Sequence, residues 1–413
     1  MNGRNCKSRQ RMGNVDGKAV GAEKRRKYEL KQKRLEEDRG VQRGRDEWIS
    51  SHRCFAHKVE ENLVRRLISS DTKSPVSARG RYRRREGQAV CRKDHPQTSN
   101  DCFESSESDD RLRDLIVPYV DLKEGTGTTN LKNVEGSERL FVAEGTENVR
   151  LLIQQAAKSA GNSIEVRSVL AKPSAFFDEP VKLLRDVERV MAECSTPPFE
   201  VLLGSEEVLS QIAGFHIARG ALACGVVPRY NTEWLNSFVK QRLRQENSGL
   251  RLLALDGISD TANMGSMIRC CAAFGITAVL LSNDCCDAWY RRSIRVSMGH
   301  IFSVPVVRCE SLSSTIAQLN LEFGLNTYAA VVDTKTKVVL ENIPHGSIER
   351  KWCCVMGSEA NGISPPVLSA CKIPIRVRMA TGVDSLSVPI ATGVLLHGLA
   401  EREQIFVPHK VAY

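Results

Sequence analysis

Four runs in the second half of the chain, LLALD (252–256), AVLLS (278–282), TYAAVV (327–332) and CCVMG (353–357), are almost wholly apolar, short, and separated by helical segments. Those helices are predicted near 262–274, 312–323, 364–371 and 388–402. A strand that is apolar on both sides must have both sides covered, and crossover helices packed on each face of a parallel sheet do this. The pattern predicts an α/β domain over residues 250–413, with ligands held outside the carboxyl ends of its strands.

A shorter alternation precedes it. LFVAEG (140–145), IEVRSVLA (164–171), FEVLLG (199–204) and GALACGV (220–226) read as strands. Between them fall a helix over 148–160, another near 180–194 and a short one after 204. Val149, Leu152, Ile153 and Ala156 share one face of the first. This predicts a small α/β domain over 136–229, joined by a polar helical linker, 230–249, to the larger one. Residues 1–135 are polar, rich in Arg and Ser, and predicted to be largely disordered. Within them we place one helix around 23–38, a basic patch RGRYRRR (79–85) and an acidic linker SNDCFESSESDD (99–110).

The net charge of +10 is uneven. Residues 1–100 carry 27 Lys and Arg against 13 Asp and Glu, while the other 313 residues carry 32 against 36. Two readings fit this equally: an arm drawn to a polyanion through phosphate contacts, or a solvated extension. The 14 cysteines include no CxxC pair and no Cys/His group with zinc spacing, so no metal is predicted. Cys270–Cys271, Cys285–Cys286 and Cys353–Cys354 stand where small core residues belong, which fits a reduced, intracellular chain. No apolar run reaches the roughly 20 residues of a membrane span, and the N-terminus lacks an apolar signal core. We expect cytoplasm or nucleus, with a mitochondrial or plastid address left open.

Familiar nucleotide signatures are missing: there is no GxGxxG after a strand, no Walker A loop, no HExxH and no GxSxG. EGTGTTN (124–130) is Gly-rich but follows no strand and reads as linker. Three other segments carry chemistry. In LDGISDTANMGSMIRCCAAFGITAVLLS (255–282), Arg269 is the only charge between Asp260 and Asp284. It either snorkels from a helix surface or is aimed into a site, and Asn263 reads equally as that helix's cap. In WCCVMGSEANGISPPVLSACKIPIRVRM (352–379), Glu359 is the only charge between Lys351 and Lys372. The glycines beside it suit close backbone approach to a ligand, although an ordinary turn would look the same. In VDSLSVPIATGVLLHGLAERE (383–403), Asp384 and Ser385 read as helix caps and Pro389 as a first-turn residue.

In this order and at these separations, the three segments resemble the signature motifs of the SpoU/TrmH branch of the SPOUT methyltransferases. CCDAWYRRSIRVSMGHIFSVPV (285–306) resembles that family's middle segment, and residues 138–228 resemble the ribosomal-protein-like RNA-binding domain that precedes it. The likeness covers about two-thirds of the chain and leaves the basic arm out.

The resemblance implies a parallel sheet folded into a trefoil knot, and methylation of a ribose 2′-hydroxyl in tRNA or rRNA with S-adenosyl-L-methionine. It implies a homodimer joined through the knot region. Carried over by motif position, Arg269, Asn263, Glu359 and Ser385 would be catalytic. Gly357, Val377, Leu386 and Ser387 would lie along the cofactor. One position departs from the family's Ser-Leu-Asn-Val: this chain reads Ser385-Leu386-Ser387-Val388. A serine lacks the amide's paired donor and acceptor. The alternative is therefore an RNA-binding or ribosome-assembly protein of the same fold with weak or lost activity, and transfer to a base nitrogen is a third possibility. If the arm contributes phosphate contacts, removing residues 1–110 weakens RNA binding and flattens its dependence on salt. An unchanged salt slope in a filter-binding titration would remove that role.

Overall fold

The computed structural model describes residues 39–51, 56–59, 107–120, 122, 138–156, 164–178, 183–193, 199–217, 220–245, 249–383 and 385–403. The predicted helix over 23–38, the basic patch 79–85, the Gly-rich stretch 124–130 and Asp384 lie outside them. The chain divides into two compact units, 1–58 and 59–413. In the first, a helix α1 covers 39–51 and a short strand β1 covers Ala56–Lys58.

In the second unit, one part of the region read as mostly disordered is ordered. Helix α2, Glu107–Ile116, and the 3-10 turn Val117–Tyr119 pack on the small sheet. Ile116, Tyr119 and Leu122 are buried there, and the Tyr119 hydroxyl donates to the Ser168 carbonyl at 2.8 Å. Burial pushes the Tyr119 phenol well above its usual range.

The small sheet comes from β2 (Leu140–Glu144), β3 (Val166–Ala171), β4 (Glu200–Leu203) and β5 (Ala221–Val226). These strands run β4-β3-β5-β2, with β3–β4 parallel and the β3–β5 and β2–β5 pairs antiparallel. Helices α3 (Thr146–Ala156), α4 (Pro173–Phe177), α5 (Leu183–Glu193) and α6 (Glu206–Ala213) connect them. Ser205 caps α6 by accepting from the Val208 N–H, and Gly214 ends it at φ 74°. Helix α7, Thr232–Arg244, follows and buries Leu235 and Val239 against the next sheet.

The large sheet has seven strands, all paired in parallel: β6 (Leu250–Asp256), β7 (Ala278–Leu281), β8 (Val306–Arg308), β9 (Asn326–Ala330), β10 (Val338–Val339), β11 (Lys351–Gly357) and β12 (Ile373–Arg376). Their order is β10-β12-β9-β11-β6-β7-β8. Helices α8 (Thr261–Ala273), α9 (Arg291–Val296), α10 (Leu312–Phe323), α11 (Pro365–Ala370) and α12 (Val388–Glu401) complete the domain. The four apolar runs are β6, β7, β9 and β11. Strands β8, β10 and β12 were not anticipated, because runs of two to four residues carry too little pattern to register. The cysteines of the apolar pairs are free, and Cys271, Cys285, Cys353 and Cys354 are buried. Burial raises the Cys354 thiol to about 12. Among the described residues, no helix is long and apolar enough to cross a membrane.

Two contacts set the geometry of the whole unit. The small sheet is docked through β2 onto the segment around α9. Phe141 lies 5.0 Å from Trp289 and 5.6 Å from Phe302, Arg139 pairs with Asp287, and Arg295 donates to Glu144 at 3.2 Å. At the opposite end of the strands, the fully buried Glu403 carboxylate accepts from Arg251 at 2.7 and 2.8 Å and from the Trp352 indole at 2.6 Å. It ties the end of α12 to the starts of β6 and β11. Glu403→Ala leaves the part-buried Arg251 guanidinium and the indole N–H without their acceptor. We expect a loss of about 3 kcal/mol, measured by urea denaturation, because breaking a buried pair strands its partner.

Candidate active site

Strands β6 and β11 pair over seven residues, and their carboxyl ends finish side by side, Asp256 opposite Gly357. The chain order reverses here, since β6 leads outward to β7 and β8 while β9, β11 and β12 lie on the other side. Such a switch point opens a crevice between diverging loops.

After β6 the chain turns at Gly257 (φ +67°), whose N–H donates to Ser282 Oγ at 2.9 Å. Asp260 then caps α8 by accepting from the Asn263 N–H at 2.8 Å. Asn263 is therefore not the cap, and its side chain is free for other work. Its Nδ2 donates to the Glu359 carboxylate across the crevice.

After β11 the loop folds back sharply. Ser358 and Gly362 exchange backbone hydrogen bonds of 3.1 and 2.9 Å. A Cβ on Gly357 would stand 2.0 Å from the Gly362 carbonyl carbon, so only glycine permits this approach. The far end of the loop is held by Asp256, 5% exposed, whose Oδ2 accepts from the Ser364 N–H at 2.7 Å.

These loops bound a cavity of about 530 Å³ at the carboxyl ends of β9, β11 and β12, within the size range of small-molecule sites. Of the residues singled out by motif, Gly357, Glu359, Val377, Ser385 and Leu386 line it. Met356, Ile375 and Leu395 add apolar wall, and among the described residues Asp333 and Glu359 are its only charged lining residues. The cavity is thus largely apolar, with backbone groups, two carboxylates and the side chains of Ser358, Asn361 and Ser385 as its polar features. Among the described residues, no group of His, Cys, Asp and Glu could hold a metal ion.

Three motif residues do not line it: Asn263, which reaches it through Glu359, and two that stand elsewhere. Ser387, not Ser385, occupies the position before α12, and its side chain makes no capping hydrogen bond. It is exposed and does not line the cavity. Arg269 is exposed on α8 and also lies off the lining. Six residues beyond Asn263 is about 240° around a helix, so the two side chains leave in different directions. The guanidinium lies toward His300, whose imidazole is held below its usual value first by burial and then by the Arg269 charge.

Two residues of this region carried no motif. Asp256 reads as the last residue of a strand, and only its burial marks it. Asp333 follows TYAAVV in a polar Asp-Thr-Lys-Thr stretch, which is a turn signal and nothing more.

Residues 251–397 match the SpoU rRNA Methylase family. An uncharacterized tRNA/rRNA methyltransferase of Mycobacterium tuberculosis is 31% identical over 195 residues, 47% of this chain and 63% of that protein. The 23S rRNA (guanosine-2′-O-)-methyltransferase RlmB of Acinetobacter baylyi is 28% identical over 193 residues, 47% of this chain and 75% of that one. The chain thus spans under two-thirds of the first such relatives it matches. Among solved structures, an AdoMet-bound rRNA methyltransferase of Sinorhizobium meliloti is similar at 23% identity and a TM-score of 0.48, covering 63% of this chain and 87% of that one.

The Gly357 contact gives a direct test. Gly357→Ala forces the 358–363 loop away from β11. The Gly362 amide, bonded to the Ser358 carbonyl, should lose hydrogen-exchange protection while the amides of β6 keep theirs. Unchanged protection at Gly362 would show that the loop tolerates a side chain.

Proposed function

From the match of residues 251–397 to the SpoU rRNA Methylase family, we propose that the chain is a SpoU/TrmH-type enzyme that methylates a ribose 2′-hydroxyl of tRNA or rRNA with S-adenosyl-L-methionine. The observation that carries this reading is the convergence of Gly357, Val377, Ser385 and Leu386 on one apolar cavity, with the Asn263–Glu359 pair at its edge.

The cavity fits the donor. Gly357, Val377 and Leu386 would hold the adenosyl group by apolar and backbone contacts, and Ser387 would stand at the helix start beside them. The donor supplies an activated methyl group on a sulfonium. The protein's task is to bring a ribose hydroxyl into line and stabilise the charge that develops as its proton leaves. Asn263 fixes the Glu359 carboxylate, and the pair orients the ribose. Ser385 adds a hydroxyl that donates and accepts. A guanidinium is a donor and not an acceptor, so the role of Arg269 is to position a phosphate and stabilise alkoxide rather than to act as base. In this reading the segments after β11 and β12 form the family's trefoil knot. Residues 136–229 bind the RNA substrate, 230–249 link the two domains, and the basic extension 1–135 adds RNA affinity.

Arg269 sets a condition on assembly. It lies off its own cavity, on a helix packed against α12, where Ile390 and Val394 are 59% and 38% exposed. A two-fold pairing through α8 and α12 would cover these apolar residues and carry Arg269 toward the site of the second copy.

A second reading rests on Ser387, which replaces the family's amide: an RNA-binding or assembly protein that keeps the cavity without turnover. Transfer of labelled methyl from the donor to total RNA separates the two. We expect the label in 2′-O-methylnucleosides after digestion. Arg269→Ala and Glu359→Ala should each lower turnover roughly 100-fold, as losing a charge-stabilising or positioning group does. Co-expressed, the two inactive variants should regain activity that neither has alone. Donor binding without incorporation would favour the second reading, and label on a base would overturn the choice of ribose.

A further inference from the structure

The charge of the cavity is one-sided. Among the described residues, both charged lining side chains, Asp333 and Glu359, are carboxylates, and no Lys, Arg or His lines the cavity. Glu359 is engaged by Asn263 on the side facing α8. Asp333 stands on another wall, in the turn that follows β9. That turn is built around it: Asp333 Oδ1 accepts from the Lys335 N–H at 2.9 Å, and its carbonyl accepts from the Thr336 N–H at 3.0 Å. The carboxylate is therefore anchored through one oxygen. Lys335 and Lys337, in the same turn and just after it, are exposed and do not line the cavity.

We propose that Asp333 is a specificity-determining residue through which the cavity tells the sulfonium donor from its thioether product by charge. This rests on the methyl-transfer reading above. In that transfer the S–CH₃ bond breaks and an O–CH₃ bond forms. The hydroxyl proton leaves to water, and the bonding pair stays on sulfur and cancels its positive charge. The donor carries sulfonium, ammonium and carboxylate, a net single positive charge; the product, without the sulfonium, is neutral overall. Both have the same adenosyl group, so the apolar walls hold them equally. A fixed carboxylate adds attraction only for the charged one, and its presence favours exchange of spent product for fresh donor.

Asp333→Asn tests this cleanly. The amide oxygen still accepts from the Lys335 N–H, so the turn survives and only the charge is lost. Calorimetric titration of the full chain uses three probes: S-adenosylmethionine, S-adenosylhomocysteine, and sinefungin, which carries an ammonium in place of the sulfonium. The substitution should weaken both cationic ligands roughly four- to tenfold, as expected for one charge pair at the water-exposed edge of a protein, and leave the neutral product within about twofold. Added salt should weaken donor binding to the native chain more than product binding, and the variant should lose that difference. Equal weakening of all three ligands, or of none, overturns the role of Asp333 while leaving the methyl-transfer reading intact. Failure of the native chain to bind any of the three overturns both.

Discussion

The ligand end of this molecule depends on the pairing of β6 with β11, which finishes with Asp256 beside Gly357. A buried carboxylate must find a donor, and the Ser364 N–H supplies it at 2.7 Å. That single bond fixes where the loop after β11 must return. The missing side chain of Gly357 then lets Gly362 close against the strand. One electrostatic need and one steric allowance shape the edge of the cavity, and Glu359 is carried on the loop between them.

The charges around this edge are sorted. Carboxylates line the cavity, while the nearest motif cation, Arg269, stands on the outer face of α8. An apolar pocket edged by carboxylates suits a cationic donor, and a guanidinium inside it would oppose one. Under the proposed transfer to a phosphodiester-linked ribose, the cation near the phosphate would come from outside this cavity, and the exposed apolar residues Ile390 and Val394 beside Arg269 are the surface that the proposed pairing would cover. The small sheet is meanwhile docked on the segment around α9 through Phe141, Trp289 and Phe302.

Much of the fold was legible because burial on both faces leaves an unambiguous mark. The runs at 252–256, 278–282, 327–332 and 353–357 could hardly be anything but central parallel strands. Val306–Arg308 and Ile373–Arg376 were hidden because they are short, the second also interrupted by Pro374. Ile116, Tyr119 and Leu122 escaped notice because the apolar run LIVPYV (115–120) is short, broken by Pro118, and shows neither a helical nor a strand period; what orders them is the small sheet they pack against. At the site, motif spacing picked out Gly357, Glu359, Val377, Ser385 and Leu386, which line the cavity, but missed Asp333 and misassigned the caps. Asp260 rather than Asn263 starts α8, and Ser387 rather than Ser385 precedes α12. A side chain able to cap a helix looks the same in sequence whether or not it does so.

By itself the sequence determined which segments are strands, which side chains carry charge among apolar neighbours, and which family's motifs residues 251–397 match, since all three are local properties of composition and order. Only the tertiary structure decided which of those charges meet. Asn263 reaches Glu359 because β6 and β11 end together, a consequence of strand order that no local pattern encodes. Arg269 does not join them because 3.6 residues per turn carry it around to another face of the same helix. Asp333 lines the cavity only because β9 pairs with β11 and its closing turn overhangs the cavity they share.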